Sequence, residues 1–244
     1  MAINTTYNED VIIKSISVAL SEFYSRLVAN INTLDIDKIL KRKNPYLFRA
    51  KGIKSATQIV DAILSAFISS SEETVFGNVF FEPIACAASG GNKALAEGID
   101  IMVERGDTIY AIAVKSGTSV FNADSRKKQE QNFIAASKLA QQVKKRFVPI
   151  IGYGYGRKKQ TTRGIPKFYI ELAGKEFWEE LTGDPDFYLK LMNLMDNIPE
   201  QYADSFNDAY QRAENRLVQQ FTNKFCNSDG SINWLRLARY NSGS

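Results

Sequence analysis

Apolar residues recur at helical spacing near both ends of the chain, whereas part of the middle alternates as strands do. The spacing predicts a helix over residues 8–30 and a second helix over residues 55–77, each with one apolar side. Residues 99–104 and 108–115 are strand-like, and a short turn around Gly106 joins them. The centre of the chain is therefore predicted to contain a β-hairpin that follows two helices.

After the hairpin the pattern returns to helical spacing and then becomes extended twice more. It predicts a long helix over residues 125–147, strands over residues 148–153 and 166–172, and broken helices from Lys175 onwards. Strands that alternate with helices in this way form α/β folds. We therefore expect a mixed central sheet flanked by helices, with extra helices at both ends of the chain.

The 244 residues suit one sizeable domain. We expect residues 1–244 to form a single domain with its core at about residues 55–173. Residues 1–54 and 174–244 are then helical additions. No run of apolar residues approaches the roughly 18 that a membrane span needs, so no membrane association is expected.

The absence of histidine excludes several kinds of chemistry. Ser-His-Asp and Cys-His catalysis, and zinc held by histidine, all require it. The two cysteines, Cys86 and Cys226, lie far apart, which favours a reduced, cytoplasmic protein. Gly152, Gly154 and Gly156 follow a predicted strand, but the basic residues after them begin a helix poorly and do not predict a dinucleotide-binding loop.

Basic residues are concentrated in two stretches. Residues 41–54 and 138–167 contain no acidic residue, whereas the chain is rich in acidic residues from Glu171 onwards. The net charge is +4. A surface with one basic side favours binding of a polyanion, and two solvated faces are the alternative interpretation.

The hairpin brings a carboxylate and a lysine together. With the turn near Gly106, Asp100 should lie opposite residue 112 or 113, and residues 113 and 115 share a face. Asp100, Ala113 and Lys115 are therefore expected to form one small site, although an ordinary ion pair at a strand end is the alternative. The other face of the strand is apolar and is expected to lie in the core; it carries Tyr110, Ile112 and Val114.

Short motifs around this site resemble those of a nuclease group. They are Gly98-Ile99-Asp100, Val114-Lys115-Ser116-Gly117, Phe121-Asn122 and Asp124-Ser125. They resemble the PD-(D/E)XK nuclease superfamily, and within it the type II restriction endonucleases of the Pme type. The resemblance covers roughly residues 55–132 and implies a restriction-endonuclease-like core.

The resemblance implies metal-dependent chemistry. Asp100 would bind Mg²⁺, with Mn²⁺ as the alternative ion, because such ions prefer oxygen ligands. The backbone carbonyl of Val114 and the carboxylate of Glu73, from the preceding helix, would complete the protein's ligands. Lys115 would orient the attacking water and offset negative charge on the phosphate.

Ala113 departs from the family pattern, which has a glutamate or glutamine at this position. One explanation is that such a residue was replaced, which would leave the enzyme inactive or weakened. The other is that the missing ligand comes from Glu72, Glu73 or Glu82. Replacement is slightly favoured, because a glutamate or glutamine at residue 113 would restore the pattern.

DNA would lie across the hairpin, and the basic and polar residues near it are candidates to hold it. A helix beginning near Asn122 suits phosphate binding, and arginine or glutamine side chains suit base edges. The candidate DNA-binding residues are Lys43, Asn122, Ser125, Arg126, Lys127, Arg157, Lys158, Lys159, Gln160 and Arg163.

Taken together, the resemblance implies a Mg²⁺-dependent type II restriction enzyme that cuts double-stranded DNA at a specific site. Two strands must be cut, which predicts a homodimer on a palindromic site. Large apolar residues of the C-terminal helices, among them Trp178 and Phe187, form either the dimer interface or the core. The alternatives are a defence or repair nuclease of the same superfamily and a catalytically inactive DNA-binding module.

Overall fold

A computed structural model describes residue 3, residues 6–158 and residues 167–243. The chain forms two compact units. The first comprises Met1–Glu22 and Phe76–Pro199, and the second comprises Phe23–Val75 and Glu200–Ser244. The prediction of one domain with its core at residues 55–173 stays a prediction.

The second unit is helical, and in the first unit helices flank a sheet. Within the described residues, no helix has both the length and the apolar character that crossing a bilayer requires. The helices are α1 (Glu9–Asn32), α2 (Ile36–Leu40), α3 (Pro45–Ala50), α4 (Ala56–Val79), α5 (Phe81–Ser89), α6 (Ala123–Gln142), α7 (Lys175–Thr182), α8 (Phe187–Met195), α9 (Glu200–Phe225) and α10 (Trp234–Asn241).

Among the described residues of the first unit, five strands form one mixed sheet in the order β1-β2-β3-β4-β5. β1, β2 and β3 pair antiparallel, whereas β3, β4 and β5 pair parallel. The predicted mixed sheet flanked by helices is therefore confirmed. The strands are β1 (Asn92–Lys93), β2 (Ile101–Arg105), β3 (Thr108–Lys115), β4 (Arg146–Tyr153) and β5 (Ile170–Ala173).

The hairpin register agrees with the sequence prediction. Ile101 pairs with Ile112, so the same register places Asp100 opposite Ala113. β2 begins at Ile101, which corrects the prediction that Asp100 lies within the strand: Asp100 immediately precedes it. Residues 92–93 form the short strand β1, which pairs with the start of β2.

Both faces of β3 are covered, which corrects the prediction that one face is left for the site. The face of Ala113 packs in an apolar cluster with Phe133 and Ala136 of α6 and Ile151 of β4. Ala113 is fully buried. The sequence pattern could not reveal this cover because it predicts the helix that follows the hairpin but not the face of the sheet on which that helix packs.

Two glycines of β4 and the residues after it allow helices to approach the sheet closely. A Cβ atom at Gly152 would overlap the ring of Phe177 in α7, and one at Gly154 would overlap the ring of Phe81 in α5. The indole N–H of Trp178 donates a buried hydrogen bond to the Gly154 carbonyl at 2.9 Å. These glycines therefore serve packing, which agrees with the absence of a dinucleotide-loop pattern.

Candidate active site at the carboxyl edge of the sheet

Backbone contacts hold Asp100 in place. Gly98, two residues earlier, has a φ of +70°, and a Cβ atom there would run into the side chain of Asn132 in α6. The buried Gln129 amide donates to the Gly98 carbonyl at 2.6 Å. The Asp100 N–H donates to the Ile112 carbonyl at 2.9 Å. Glycine is therefore required in the Gly98-Ile99-Asp100 motif both by its φ and by the closeness of α6.

The Asp100 carboxylate binds both the backbone and the side chain of the facing strand. Its Oδ2 accepts a hydrogen bond from the Val114 N–H at 2.7 Å and lies 3.4 Å from Lys115 Nζ. Lys115 Nζ also donates to the Val114 carbonyl at 3.0 Å. The Asp100 and Lys115 side chains are 24% and 28% exposed, so the site is open to solvent on one side.

The arrangement fits a divalent cation. Two oxygens, Asp100 Oδ2 and the Val114 carbonyl, already converge on one positive charge, the Lys115 ammonium. Carboxylate and carbonyl oxygens are the donors that Mg²⁺ prefers, and the ion keeps several waters when the protein offers few ligands. Within the described parts of the chain, no group of three or more acidic or cysteine side chains is placed to hold a metal ion.

The candidates for a further acidic ligand occupy different places. Glu73 and Glu72 lie in the part of α4 that belongs to the second unit, and burial, followed by the charge of Glu73, raises the pKa of Glu72. Glu82 in α5 pairs with Lys93 at 3.2 Å. The assignment of Glu73 as a metal ligand therefore stays a prediction.

The last turn of α4, which belongs to the first unit, contacts the residue that follows Lys115. A Cβ atom at Gly77 would lie 2.9 Å from Ser116 Oγ. Ser116 directly follows Lys115, so the last turn of α4 packs against the end of β3. The sequence Ser116-Gly117 after the lysine thus has a packing role, because a Cβ atom at Gly117 would lie 2.8 Å from the Tyr155 ring.

Asn122 and Ser125 form a capping box at the start of α6. Asn122 Oδ1 accepts from the Ser125 N–H at 2.8 Å, and Ser125 Oγ accepts from the Asn122 N–H at 3.0 Å. Helix capping therefore explains why asparagine and serine occupy these two positions, whether or not they also contact DNA. Their contact with DNA stays a prediction.

Sequence reasoning missed a buried carboxylate, Glu171 of β5, whose side chain is 7% exposed. It forms ion pairs with three cations, Arg126, Lys158 and Lys167. We call these four residues the Glu171 cluster. The available signal was weak: Glu171 is the first acidic residue after the stretch 138–167, which has none.

Neighbouring charges favour the ionised forms of Glu171 and Lys158. Burial alone would raise the pKa of Glu171, but its hydrogen bonds to Lys158 and Lys167 and the charge of Arg126 hold that pKa below its ordinary value of 4.5. The pKa of Lys158 is raised: burial opposes this, but Glu171 and Tyr153 outweigh it.

The remaining predicted DNA-binding residues are spread over the chain. Lys127 and Arg157 are exposed in the first unit, and Lys43 belongs to the second unit. Lys159, Gln160 and Arg163 lie outside the described residues. The structure thus brings Asp100, Val114 and Lys115 together, and separately joins Arg126 to Lys158 through Glu171.

Comparison with known proteins identifies the class. A family model described as Type II restriction endonuclease EcoO109I matches residues 10–202. This match covers most of the chain, and the chain therefore belongs to the EcoO109I family of type II restriction endonucleases, within the PD-(D/E)XK superfamily. The restriction-endonuclease-like fold class is thereby confirmed. No curated protein matches the chain.

The depressed pKa of Glu171 makes a prediction about stability. The ionised carboxylate stabilises the fold above its unfolded pKa of about 4.5, and this stabilisation is lost as the pH falls through the lower folded pKa. Glu171→Gln should therefore lower the free energy of unfolding at pH 7 by roughly 1–3 kcal/mol. It should also flatten the loss of stability below about pH 4.5, as measured by urea unfolding across pH.

Glu104→Gln is the matched control for this experiment. Glu104 is 60% exposed and pairs with Lys145 at the opposite edge of the sheet. An exposed pair contributes little, so this variant should change stability by less than about 1 kcal/mol. If the free energy of unfolding depends on pH in the same way for wild type and Glu171→Gln, the ion pairs of Glu171 do not stabilise the fold.

Proposed function

We propose that this chain is a Mg²⁺-dependent type II restriction endonuclease that cuts double-stranded DNA at a specific sequence. The family supports a restriction-type nuclease acting on DNA. The observation that carries the finer proposal is the convergence of Asp100 Oδ2 and the Val114 carbonyl on one cationic group. Mn²⁺ would serve as the alternative ion, since it accepts the same oxygen ligands.

Asp100, Val114 and Glu73 are the proposed metal ligands of the site. Asp100 and the Val114 carbonyl would hold the metal ion, and Glu73 is the proposed further ligand. When bound, the ion lowers the pKa of a water molecule and stabilises negative charge on the phosphate. The Val114 N–H orients the Asp100 carboxylate at 2.7 Å, so its direction is set before any ligand binds.

Lys115 is proposed to stabilise the charge of the reacting phosphate. Its ammonium lies within reach of Asp100 and is partly exposed, so it can contact a phosphate bound at the open side of the site. A positive charge there stabilises the oxyanion that develops as the phosphodiester is attacked, and it can orient the attacking water. No histidine is needed for either role, which agrees with the composition.

DNA binding is proposed for the basic and polar residues that the sequence analysis identified. Arg126 and Lys158 are each held by an ion pair with Glu171. The other proposed members are Lys43, Asn122, Ser125, Lys127, Arg157, Lys159, Gln160 and Arg163.

A homodimer on a palindromic site is proposed because one active site cuts one strand. Trp178 and Phe187 are buried in the core of the first unit and are therefore not available for the interface. Met192, on the same pair of helices, is 68% exposed and remains accessible to a partner.

Ala113 supports a second candidate, a catalytically inactive DNA-binding module. It is fully buried among apolar side chains and offers no ligand to a metal ion. Glu171 cannot replace the missing carboxylate. Ala113 pairs with Ile151 and Ile151 with Glu171, so the backbones of Asp100 and Glu171 are three strand spacings, about 14 Å, apart.

Sequencing the ends of cut DNA tests the proposed function. Genomic DNA incubated with the protein and Mg²⁺ should give ends that share one recurring sequence. Lys115→Ala should weaken DNA binding by no more than about tenfold but cut at least about 100-fold more slowly, because charge stabilisation is lost. Lys145→Ala, at the opposite edge of the sheet, is the control and should cut normally. Ends at random sequences would favour a defence or repair nuclease, and an active Lys115→Ala enzyme would refute the role of Lys115.

Restoring a ligand at residue 113 tests whether a carboxylate has been replaced there. Ala113→Glu places a carboxylate opposite Asp100 and on the same face as Lys115, where it can share the metal ion and pair with the lysine. If replacement explains Ala113, this variant and Ala113→Gln should cut DNA at least about tenfold faster than wild type, since one metal ligand is restored.

Ala111→Glu is the matched control. Ala111 is equally buried in the same cluster, two residues earlier on the same strand face. The introduced carboxylate has no metal site there, so the variant should lose stability without gaining activity. No gain in either residue-113 variant, with Mg²⁺ or Mn²⁺, would contradict the replacement explanation. Absence of cutting by all variants would favour the inactive DNA-binding module.

A further inference from the structure

The Glu171 cluster carries more positive charge than its carboxylate needs. Glu171 contributes one negative charge, whereas Arg126, Lys158 and Lys167 contribute three positive charges, which leaves a net charge of +2. The carboxylate is 7% exposed, but the three cations are 31%, 23% and 51% exposed in that order. Their remaining N–H donors can therefore reach a ligand from solvent.

Aromatic side chains fix the direction of the two least exposed cations. Lys158 Nζ lies 4.7 Å from the centre of the Tyr153 ring and donates to the Tyr153 hydroxyl at 3.2 Å. The Arg126 guanidinium lies 5.1 Å from the centre of the Phe121 ring. Cations held by a carboxylate on one side and by a ring on another have little freedom left, so ligand binding costs little side-chain entropy.

Strand register places this cluster beside the candidate active site. Tyr153 pairs with Lys115 on the neighbouring strand, so their backbones are about 4.8 Å apart and their side chains share a face. Both residues are the last of their strands, at the carboxyl edge of the parallel part of the sheet. Lys158, which contacts Tyr153, and Arg126, which shares Glu171 with Lys158, therefore lie near the same carboxyl edge as Lys115.

We propose that Arg126 and Lys158 bind one backbone phosphate of the DNA next to the phosphate that is cut, and that Glu171 is a positioning residue for both. The proposal rests on the proposed function and adds a specific phosphate-binding pair to it. A guanidinium and an ammonium that converge on one side are suited to a phosphodiester oxyanion. A contact with a phosphate increases the affinity for DNA and fixes the position of the protein along the duplex, but it does not distinguish one base sequence from another.

The sign of one mutational effect separates this proposal from plain electrostatics. Glu171→Gln removes a negative charge, so simple attraction between protein and DNA would make binding tighter. If Glu171 holds Arg126 and Lys158 in the geometry that receives the phosphate, its loss should make binding weaker although the protein becomes more positive. Glu104→Gln makes the same change of charge at the opposite edge and should leave binding equal or slightly tighter.

The experiment measures binding to a fluorescein-labelled DNA duplex of mixed sequence by fluorescence polarisation. It is done without divalent metal, so that the duplex is not cut, and from about 50 to about 200 mM salt. Arg126→Ala and Lys158→Ala should each weaken binding about 3- to 10-fold and reduce the salt slope by about one. Glu171→Gln should weaken binding several-fold, whereas Lys145→Ala should leave the slope unchanged.

Each outcome decides the proposal. Unchanged slopes for Arg126→Ala and Lys158→Ala, or tighter binding by Glu171→Gln, would overturn it, while sequence-specific ends in the cutting assay would leave the proposed function standing. A wild-type protein that shows no affinity for the duplex would overturn both. Thermal unfolding shows whether Glu171→Gln is folded, and if it is not, the two alanine variants decide the question.

Discussion

The hydrogen bond from the Val114 N–H to the Asp100 carboxylate is the interaction on which the candidate site depends. It connects Asp100, the residue before β2, to the end of β3 at a distance of 2.7 Å. The Val114 carbonyl and the Lys115 ammonium lie beside it and contact each other. Because a backbone donor holds the carboxylate, its direction does not depend on a flexible side chain. The proposed binding of a divalent cation by these two oxygens depends on this fixed geometry.

Helix α6 links this interaction to the rest of the sheet. In its second turn, Gln129 donates a hydrogen bond to the Gly98 carbonyl and so helps to fix the segment that leads to Asp100. At its start, Arg126 pairs with Glu171 on β5. One helix thus supports both the proposed cutting centre and the proposed phosphate-binding pair, and its capping box at Asn122 determines where it begins.

Local sequence patterns predicted the hairpin well and the distant packing poorly. The turn near Gly106 sets the register, so the pairing of Asp100 with residue 113 could be anticipated within one residue. The burial of Ala113 and the Glu171 cluster depend on α6 and on the parallel pairing of β4 with β5, which no local pattern encodes. The division into two units could not be predicted from the sequence, because α1 and α4 each contribute residues to both units.

Binding of Mn²⁺, followed by electron paramagnetic resonance of the free ion, tests the central claim most directly because it needs neither DNA nor turnover. The claim is that Asp100 and the Val114 carbonyl hold a divalent cation. Wild type should bind Mn²⁺, and Asp100→Asn should weaken binding at least about tenfold while remaining folded, because metal ligands carry most of the affinity. Equal binding of Mn²⁺ by wild type and Asp100→Asn would contradict the account.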